Sequence, residues 1–394
     1  MIQYVKSSLH FVYLVLFTII SVGIILPLDK VLLIVRTFII SSLVVNLFAI
    51  YQTPARAFDW PFANLEIKNS SLNYRNAMRT EDQQQLSLSF EGFFRATSFF
   101  SEPSALASFD MMVLCFLITP YMLQNIRIIN NKFLFYLILY STFIGLFLTF
   151  SLTAVFQLVV FIALLLLVSK GKKILQVASF AFTILVLIVI TDSYVESYAD
   201  ISVFSLYKQR IFSVLHLGGP SVEEISGESF GERSSFIKGA IQIWGKRPVW
   251  GTGIGCLQFV KTPEGEVIVF STSGFSEAFG VMGILGGLAF LALHIYMLLI
   301  AYRTYVNFKN LNDKDINCIQ TIVPFFSALL FASSISGNTV IDTFHYAKIA
   351  LFQFMINALY VGKRSEVLNL SLYKLFTPIQ LLYMNIKKVK HELD

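Results

Sequence analysis

Long apolar runs separated by short polar breaks dominate the hydrophobic pattern of this chain. Nine runs of this kind cover approximately residues 9–26, 31–50, 105–123, 133–150, 153–168, 174–190, 279–301, 319–334 and 340–361. Lipid offers the backbone no hydrogen-bonding partner, so a run of this length predicts a helix that crosses a membrane. The alternating ten-residue pattern of an outer-membrane barrel is not found. The pattern therefore predicts an all-α polytopic membrane protein with about nine spans, forming one integral membrane domain over residues 1–394.

Composition agrees with this interpretation. The 394 residues are 56% hydrophobic and 14% charged, and the mean hydropathy is +0.69. A soluble domain carries about 25% charged residues. The net charge of +6 does not indicate nucleic-acid binding, because much of the basic excess lies in short loops and the C-terminal tail. A disulfide framework is not expected from the three cysteines, Cys115, Cys256 and Cys318.

The distribution of Lys and Arg predicts the orientation. Basic residues occur in segments 124–132, 169–173 and 302–317 and in the tail 362–394, which alternating spans place on one side. That side is cytoplasmic by the positive-inside rule. Two long loops, 51–104 and 191–274, then lie on the periplasmic side. An odd number of spans puts the N-terminus outside, whereas Lys6 weakly favours the inside, and the sequence leaves this conflict open.

The end of the first long loop combines charge with aromatic residues. Ser101, Glu102 and Pro103 are typical of a helix start, with Ser101 as the N-cap. Arg95 lies among phenylalanines at the membrane edge, and its planar guanidinium suits phosphate. The stretch therefore predicts a polar site for an anionic or sugar ligand at a helix entrance.

The second long loop predicts an amphipathic helix on the outer interface. Phe236, Ala240, Ile243 and Trp244 recur at helical spacing, and Gly245 and Pro248 are expected to end the helix. The glycines that follow permit a tight turn: Gly251, Gly253 and Gly255. No strand precedes them, which argues against a nucleotide fold. Arg233 and Arg247 are either ligands of the substrate or side chains that reach lipid headgroups.

Further polar residues lie beside the last three runs. Glu277 lies at the entrance of the seventh run, and Gly283, Gly286 and Gly287 favour close helix packing. Asp342 and His345, near the last outer turn, are candidates to join the site. The loops contain no His, Asp or Glu cluster with metal spacing.

In this order and topology, the three stretches resemble the O-antigen polymerase and ligase superfamily of bacterial inner membranes. The first motif of that family, R-x-x-G-x-F-x-E-P-S, is similar to residues 95–104, with Ser98 in place of the frequent glycine. The second, an arginine followed by P-x-x-G-x-G-x-G, is similar to residues 233–255. The third, Gly-x-x-Gly, corresponds to Gly283 and Gly286. Ligases carry a His about eleven residues before the third motif, where this chain has Thr272, so the resemblance favours a Wzy-type polymerase.

The resemblance implies a lipid-phosphate-sugar glycosyltransferase of GT-C-like architecture, acting at the periplasmic face of the inner membrane. The growing glycan on undecaprenyl diphosphate would be transferred to one undecaprenyl-diphosphate-linked repeat unit. The implied catalytic residues are Glu102, Arg95 and Arg233. Arg247, Glu277 and His345 would join the two arginines in binding the diphosphate and sugar. Membrane lipids and a chain-length regulator are the other implied partners, and no metal, cofactor or nucleic acid is expected.

The sequence is compatible with two other functions. An O-antigen ligase of the same superfamily would differ in its acceptor. A transporter of polysaccharide or lipid-linked sugar would place ionisable groups at mid-bilayer, where Arg36 and Asp110 are the candidates. Both lie near span ends. The candidate catalytic and binding residues lie in the outer loops instead, which disfavours transport.

Overall fold

The computed structural model describes residues 2–65, 89–90, 93–169, 172–199, 202–214, 230–262, 265, 271, 273–308, 313–337 and 339–362. These residues form eleven α-helices and one two-stranded antiparallel hairpin. The helices are α1 Ile2–Gly23, α2 Leu28–Ala57, α3 Pro103–Gln124, α4 Lys132–Leu148, α5 Leu152–Val168, α6 Lys172–Ala199, α7 Val203–Val214, α8 Phe230–Lys246, α9 Gly274–Asn307, α10 Lys314–Ser336 and α11 Thr343–Gly362. The hairpin pairs β1, Ser89–Phe90, with β2, Phe93–Phe94.

Within the described residues, five helices are long and apolar enough to cross a membrane: α1, α2, α3, α9 and α10. Helices α4 and α5 are apolar but have 17 residues each. Every predicted apolar run lies within or largely overlaps a helix. The prediction of an all-α, membrane-embedded protein is therefore confirmed at this level.

Contacts between helix ends define two ends of the bundle. At one end, His10 of α1 lies 3.2 Å from the Thr343 hydroxyl at the start of α11. At the other, the Asn357 amide of α11 donates to the carbonyls of Val22 and Ile24 at 3.0 Å each. Helices α1 and α11 are thus parallel, since both run from the first of these ends to the second. We call the first the loop end, because α2 ends there and α3, α9 and α11 begin there.

The opposite end, which we call the basic end, gathers the short segments rich in Lys and Arg. There the Arg36 Nε donates to the Ile128 carbonyl at 3.2 Å. The Lys173 ammonium donates to the Leu123 carbonyl at the end of α3. This arrangement places the start of α1, and with it Lys6, at the loop end.

The centre of the bundle consists of α3 and α10. In their most apolar windows, 89% of the α3 residues and 78% of the α10 residues are buried inside the protein. Phe116 of α3 and Phe326 of α10 pack edge-on with ring centroids 5.2 Å apart. Helix α3 also contacts α2, α4 and α5, and α10 also contacts α5, α9 and α11. A helix that is apolar all round suits this central position.

Two predicted helix boundaries are wrong by a residue. Glu102, not Ser101, is the N-cap of α3, and Pro103 takes the first helical position, where a proline loses no hydrogen bond. Helix α8 continues through Gly245 to Lys246. Parts of the two long loops, residues 66–88 and 215–229 among them, and tail residues 363–394 lie outside the described residues.

Candidate functional site

Arg95 lies beneath the surface at the loop end, with 2% of its area exposed. Its Nε donates to the Thr149 carbonyl at 3.0 Å and its Nη2 to the Phe150 carbonyl at 3.2 Å. These carbonyls follow the last turn of α4, where a helix leaves its C=O groups without intrahelical partners. In this structure the Arg95 guanidinium therefore ties the first long loop to the turn between α4 and α5.

Arg56, which the sequence analysis missed, holds the same loop from the other side. It is 5% exposed, and its guanidinium donates to the Arg95 carbonyl and, at 2.8 Å, to the Thr97 hydroxyl. Its Nε also donates to the Ala63 carbonyl at 3.1 Å. The first motif is thus fixed through its backbone by an arginine on α2.

Gln52 explains the backbone conformation of Ser98 in the first motif. Ser98 has φ of 49°, in the left-handed region that favours glycine. The Gln52 Oε1 accepts from the backbone N–H of Ser98 at 2.7 Å and of Thr97 at 3.0 Å. The Ser98 hydroxyl donates to the Val45 carbonyl at 2.7 Å. These bonds hold a serine in a backbone conformation that normally selects glycine.

Glu102 lies half-buried at the N-terminus of α3. Its carboxylate accepts from the Ser104 hydroxyl at 3.2 Å. The start of a helix carries partial positive charge from unpaired N–H groups, which favours an ionised carboxylate there. Glu102 therefore places a carboxylate near the surface at the loop end, whereas Arg95, the other site residue predicted in the first motif, is buried.

The second and third motifs form one unit. The glycine loop, residues 248–255, runs beside the first turns of α9. Gly253 N–H donates to the Val281 carbonyl at 2.8 Å, and Thr252 N–H to the Gly280 carbonyl at 3.0 Å. In the other direction, Ile284 N–H donates to the Pro248 carbonyl at 2.8 Å. Two stretches about thirty residues apart in sequence therefore pair through their backbones.

This pairing depends on a break in α9 at Gly283. Gly283 has φ of 66° and ψ of −164°, which interrupts the helix. A Cβ at Gly283 would lie 2.1 Å from the Val249 carbonyl oxygen, and one at Gly251 would lie 2.5 Å from the Val281 carbonyl carbon. Backbone groups freed at a break inside a membrane need other partners. The glycine loop supplies them.

Helix α8 packs against the start of α9 and presents Arg247 beside the glycine loop. The rings of Trp244 and Phe279 are 5.0 Å apart, and Ile243 and Ala240 are fully buried. Arg247 and Trp250 are exposed at the turn that follows α8. The structure describes the backbone of Arg233 in α8 but not its side chain. Fourteen residues of helical rise separate the Cα atoms of Arg233 and Arg247 by about 20 Å.

Glu277 and His345 are both buried, with 6% and 0% of their areas exposed. The Glu277 carboxylate accepts from Val340 N–H at 2.9 Å and so connects α9 to the turn before α11. The His345 Nε2 lies 3.0 Å from the Nε2 of His294 and 3.3 Å from the Ser334 hydroxyl. His294 was missed by the sequence analysis, which named only His345.

Helix α11 links the first motif to the other two. The Phe344 ring is 6.4 Å from that of Phe100, and the Lys348 ammonium donates to the Ser108 hydroxyl of α3 at 3.1 Å. Through Val340 the same region contacts Glu277. The structure therefore assembles the residues of all three motifs around the loop end, with Arg95, Glu277 and His345 in the interior.

Within the described part of the chain, no group of three or more His, Cys, Asp or Glu residues is arranged to hold a metal ion. Thr272, at the position of the ligase histidine, lies outside the described residues. No protein-family model and no curated protein matches this chain.

Proposed function

We propose that this protein is a polysaccharide polymerase that uses lipid-diphosphate-linked sugars, with its active site at the loop end. The observation that carries the proposal is the pairing of the glycine loop with the break in α9, which presents exposed Arg247 at the level of the first turns of α9. A cation at that level suits the diphosphate of a lipid whose chain stays in the bilayer. The order of the three motifs supports the same class.

The proposed step transfers a glycan from one lipid diphosphate to another. A sugar hydroxyl of the acceptor repeat unit attacks the anomeric carbon of the donor, and the bond from that carbon to the diphosphate oxygen breaks. Undecaprenyl diphosphate leaves with the electron pair of that bond. The hydroxyl proton passes to a base, for which we assign Glu102. The reaction thus requires a base near the acceptor and positive charge near the leaving group.

The separation along α8 divides the roles of the two loop arginines. Because about 20 Å of helix lies between Arg233 and Arg247, one diphosphate cannot sit beside both α-carbons. We assign Arg247 to the leaving diphosphate, since it is exposed beside the glycine loop, and Arg233 to the second lipid-linked substrate. Arg95, Glu277 and His345 are assigned to positioning, because each is buried and bonded to neighbouring elements.

The proposal is tested in source cells that lack their own copy of the gene and carry a variant. Arg247→Ala is expected to leave the protein level unchanged and to reduce the surface glycan to a single repeat unit. Arg303→Ala removes a comparable exposed cation at the basic end and should retain the full ladder. A long ladder in Arg247→Ala, with wild-type protein level, would overturn the assignment.

Transport of a lipid-linked sugar is the second candidate, and the structure favours it more than the sequence does. Helix α9 is broken at Gly283, and Asp110, Lys348 and the His294–His345 pair are buried in the bundle. Broken helices and buried ionisable groups are both features of transporters. A transporter moves its substrate across the bilayer without forming a glycosidic bond, so product analysis separates the two functions. A ligase would instead give a product free of undecaprenyl diphosphate.

A further inference from the structure

A cavity of about 370 Å³ lies between α3, α4 and α6 near the basic end, away from the loop-end site. Its deep end is closed by Phe143 and Phe180, whose rings are 5.5 Å apart. Asn125, which follows α3, and Gln176, near the start of α6, lie at its other end. The volume has room for about a dozen water-sized groups. It is within the range of small-molecule sites.

One wall of the cavity is aromatic and opens toward the surroundings of the bundle. The hydroxyls of Tyr121 and Tyr136 are 3.1 Å apart, and the rings of Tyr136 and Tyr140 stack with centroids 6.0 Å apart. Tyr136 and Tyr140 remain 36% and 38% exposed. A ligand can therefore enter from the side of the bundle, where a membrane protein meets lipid.

The opposite wall is a polar stripe on the apolar part of α6, residues 174–190. Gln176, Ser179 and Thr183 of α6 line the cavity at helical spacing, among leucines, isoleucines, valines and phenylalanines. Polar side chains inside a membrane are costly unless they find hydrogen-bonding partners. The Thr183 hydroxyl donates to the Ser179 carbonyl at 3.0 Å, whereas the Gln176 amide and the Ser179 hydroxyl can pair with an occupant that carries oxygen atoms as well as hydrocarbon.

Two cations are neighbours in sequence of the residues that form the Asn125–Gln176 end of the cavity. Arg127 follows Asn125 by two residues and makes no hydrogen bond or ion pair to any other described residue. Lys173 precedes Gln176 by three residues and donates one N–H to the Leu123 carbonyl, which leaves further N–H groups on its ammonium. The residues that line the cavity include no Asp or Glu. The site is therefore positive at the end formed by Asn125 and Gln176.

We propose that this cavity binds one anionic glycerophospholipid from the leaflet at the basic end. The phosphate would lie at Arg127 and Lys173, and the glycerol and ester oxygens at Tyr136, Gln176 and Ser179. The acyl chains would leave through the side opening. Basic pockets between membrane helices recognise anionic headgroups in this way. This lipid is a resident partner and does not rest on the proposed enzymatic function.

Native mass spectrometry of the full-length protein with added lipid tests the proposal. Phosphatidylglycerol and phosphatidylcholine with identical acyl chains are compared, and undecaprenyl phosphate is added as a competitor. One phosphatidylglycerol is expected to bind with at least tenfold preference over phosphatidylcholine. Arg127→Gln and Lys173→Gln should each weaken its binding about fivefold, as expected for one basic side chain near a membrane surface. Arg303→Gln, at the same end but outside the cavity, should leave binding unchanged.

Two cavity variants separate a built site from diffuse charge attraction. Ser179→Phe fills the cavity and Gln176→Leu removes a polar group without adding bulk, while both leave the cations in place. Each should abolish or strongly weaken the preference for phosphatidylglycerol, with thermal unfolding showing that the variants fold. Equal binding of the two phospholipids, a preference that survives both variants, or stronger binding of undecaprenyl phosphate would overturn the proposal.

Discussion

Gln52 shows how one side chain determines the shape of a loop that the sequence singled out. Its amide oxygen accepts from two buried backbone N–H groups, those of Thr97 and Ser98, and its nitrogen donates to the Ala63 carbonyl at 3.1 Å. A buried polar group without a hydrogen-bonding partner is costly, so the bonds that Gln52 makes stabilise the conformation of the first motif.

Gln52→Leu is accordingly expected to destabilise the protein by about 2–4 kcal/mol, because it leaves two buried N–H groups without an acceptor. The measurement is thermal unfolding of purified protein in detergent. Gln176→Leu, which replaces a more exposed glutamine in another helix, is the matched control. If both variants unfolded at the same temperature, Gln52 would not have the role assigned to it.

Asp110 is a buried polar residue of a different kind. The Asn46 amide donates to its Oδ1 at 3.0 Å, while Asp110 Oδ2 and Asn46 Oδ1 are buried without hydrogen-bond partners in the described structure. Asp110→Asn preserves the shape and the oxygen that accepts from Asn46 and removes the ionisable group, so the free energy of unfolding should change by less than about 1 kcal/mol. Asp110→Ala removes the acceptor and leaves a cavity, and should cost about 2–4 kcal/mol. Equal losses in the two variants would show that the carboxyl group itself is needed.

Sequence reasoning found some of these residues and missed others for identifiable reasons. Glu102 and Arg247 belong to motifs with local signatures, so they were found. Arg56 was missed because the apolar run ends near Ile50, whereas α2 continues to Ala57 by packing polar side chains against the loop. His294 lies within an apolar run, where an ionisable residue is itself a functional signal.

At the scale of elements, the break in α9 could not be foreseen. Gly283 in an apolar run predicts close helix packing, and the break becomes visible only through its partner, the Pro248 carbonyl. Conversely, the apolar runs predicted the helices well, because lipid requires each segment to satisfy its own backbone. Local pattern thus determines the helices, and pairing between distant segments determines the site.

Gly283→Ala tests this element directly. A Cβ in the left-handed region costs about 1–2 kcal/mol, and this one would also overlap the Val249 carbonyl oxygen. We expect glycan polymerisation to fall by more than tenfold. In Gly245→Ala the added Cβ meets nothing within 4 Å, so activity should be unchanged. In vitro rates per mole of folded protein provide the comparison. Similar rates in the two variants would argue against a role for the break.

At the scale of the molecule, the loop end is expected to face one aqueous compartment. Phe62→Cys and Trp250→Cys place thiols at residues that are 75% and 78% exposed, in the first long loop and in the glycine loop. Both should react with an impermeant maleimide from outside intact cells, whereas Arg303→Cys should react only after permeabilisation. Burial raises the pKa of the native Cys256 thiol, so its background labelling at pH 7 should be slow. Labelling of positions 62 and 250 from opposite sides would rule out a shared site.

The central claim is that the loop end joins two lipid-linked glycans and releases a lipid diphosphate. The most direct measurement reconstitutes the purified protein in vesicles with an undecaprenyl-diphosphate-linked repeat unit and follows glycan length and free undecaprenyl diphosphate together. We predict one undecaprenyl diphosphate released for each new glycosidic bond by the wild-type protein, and neither product with Arg247→Ala. Movement of the intact lipid-linked sugar across the bilayer, with no new bond and no released lipid diphosphate, would contradict the account.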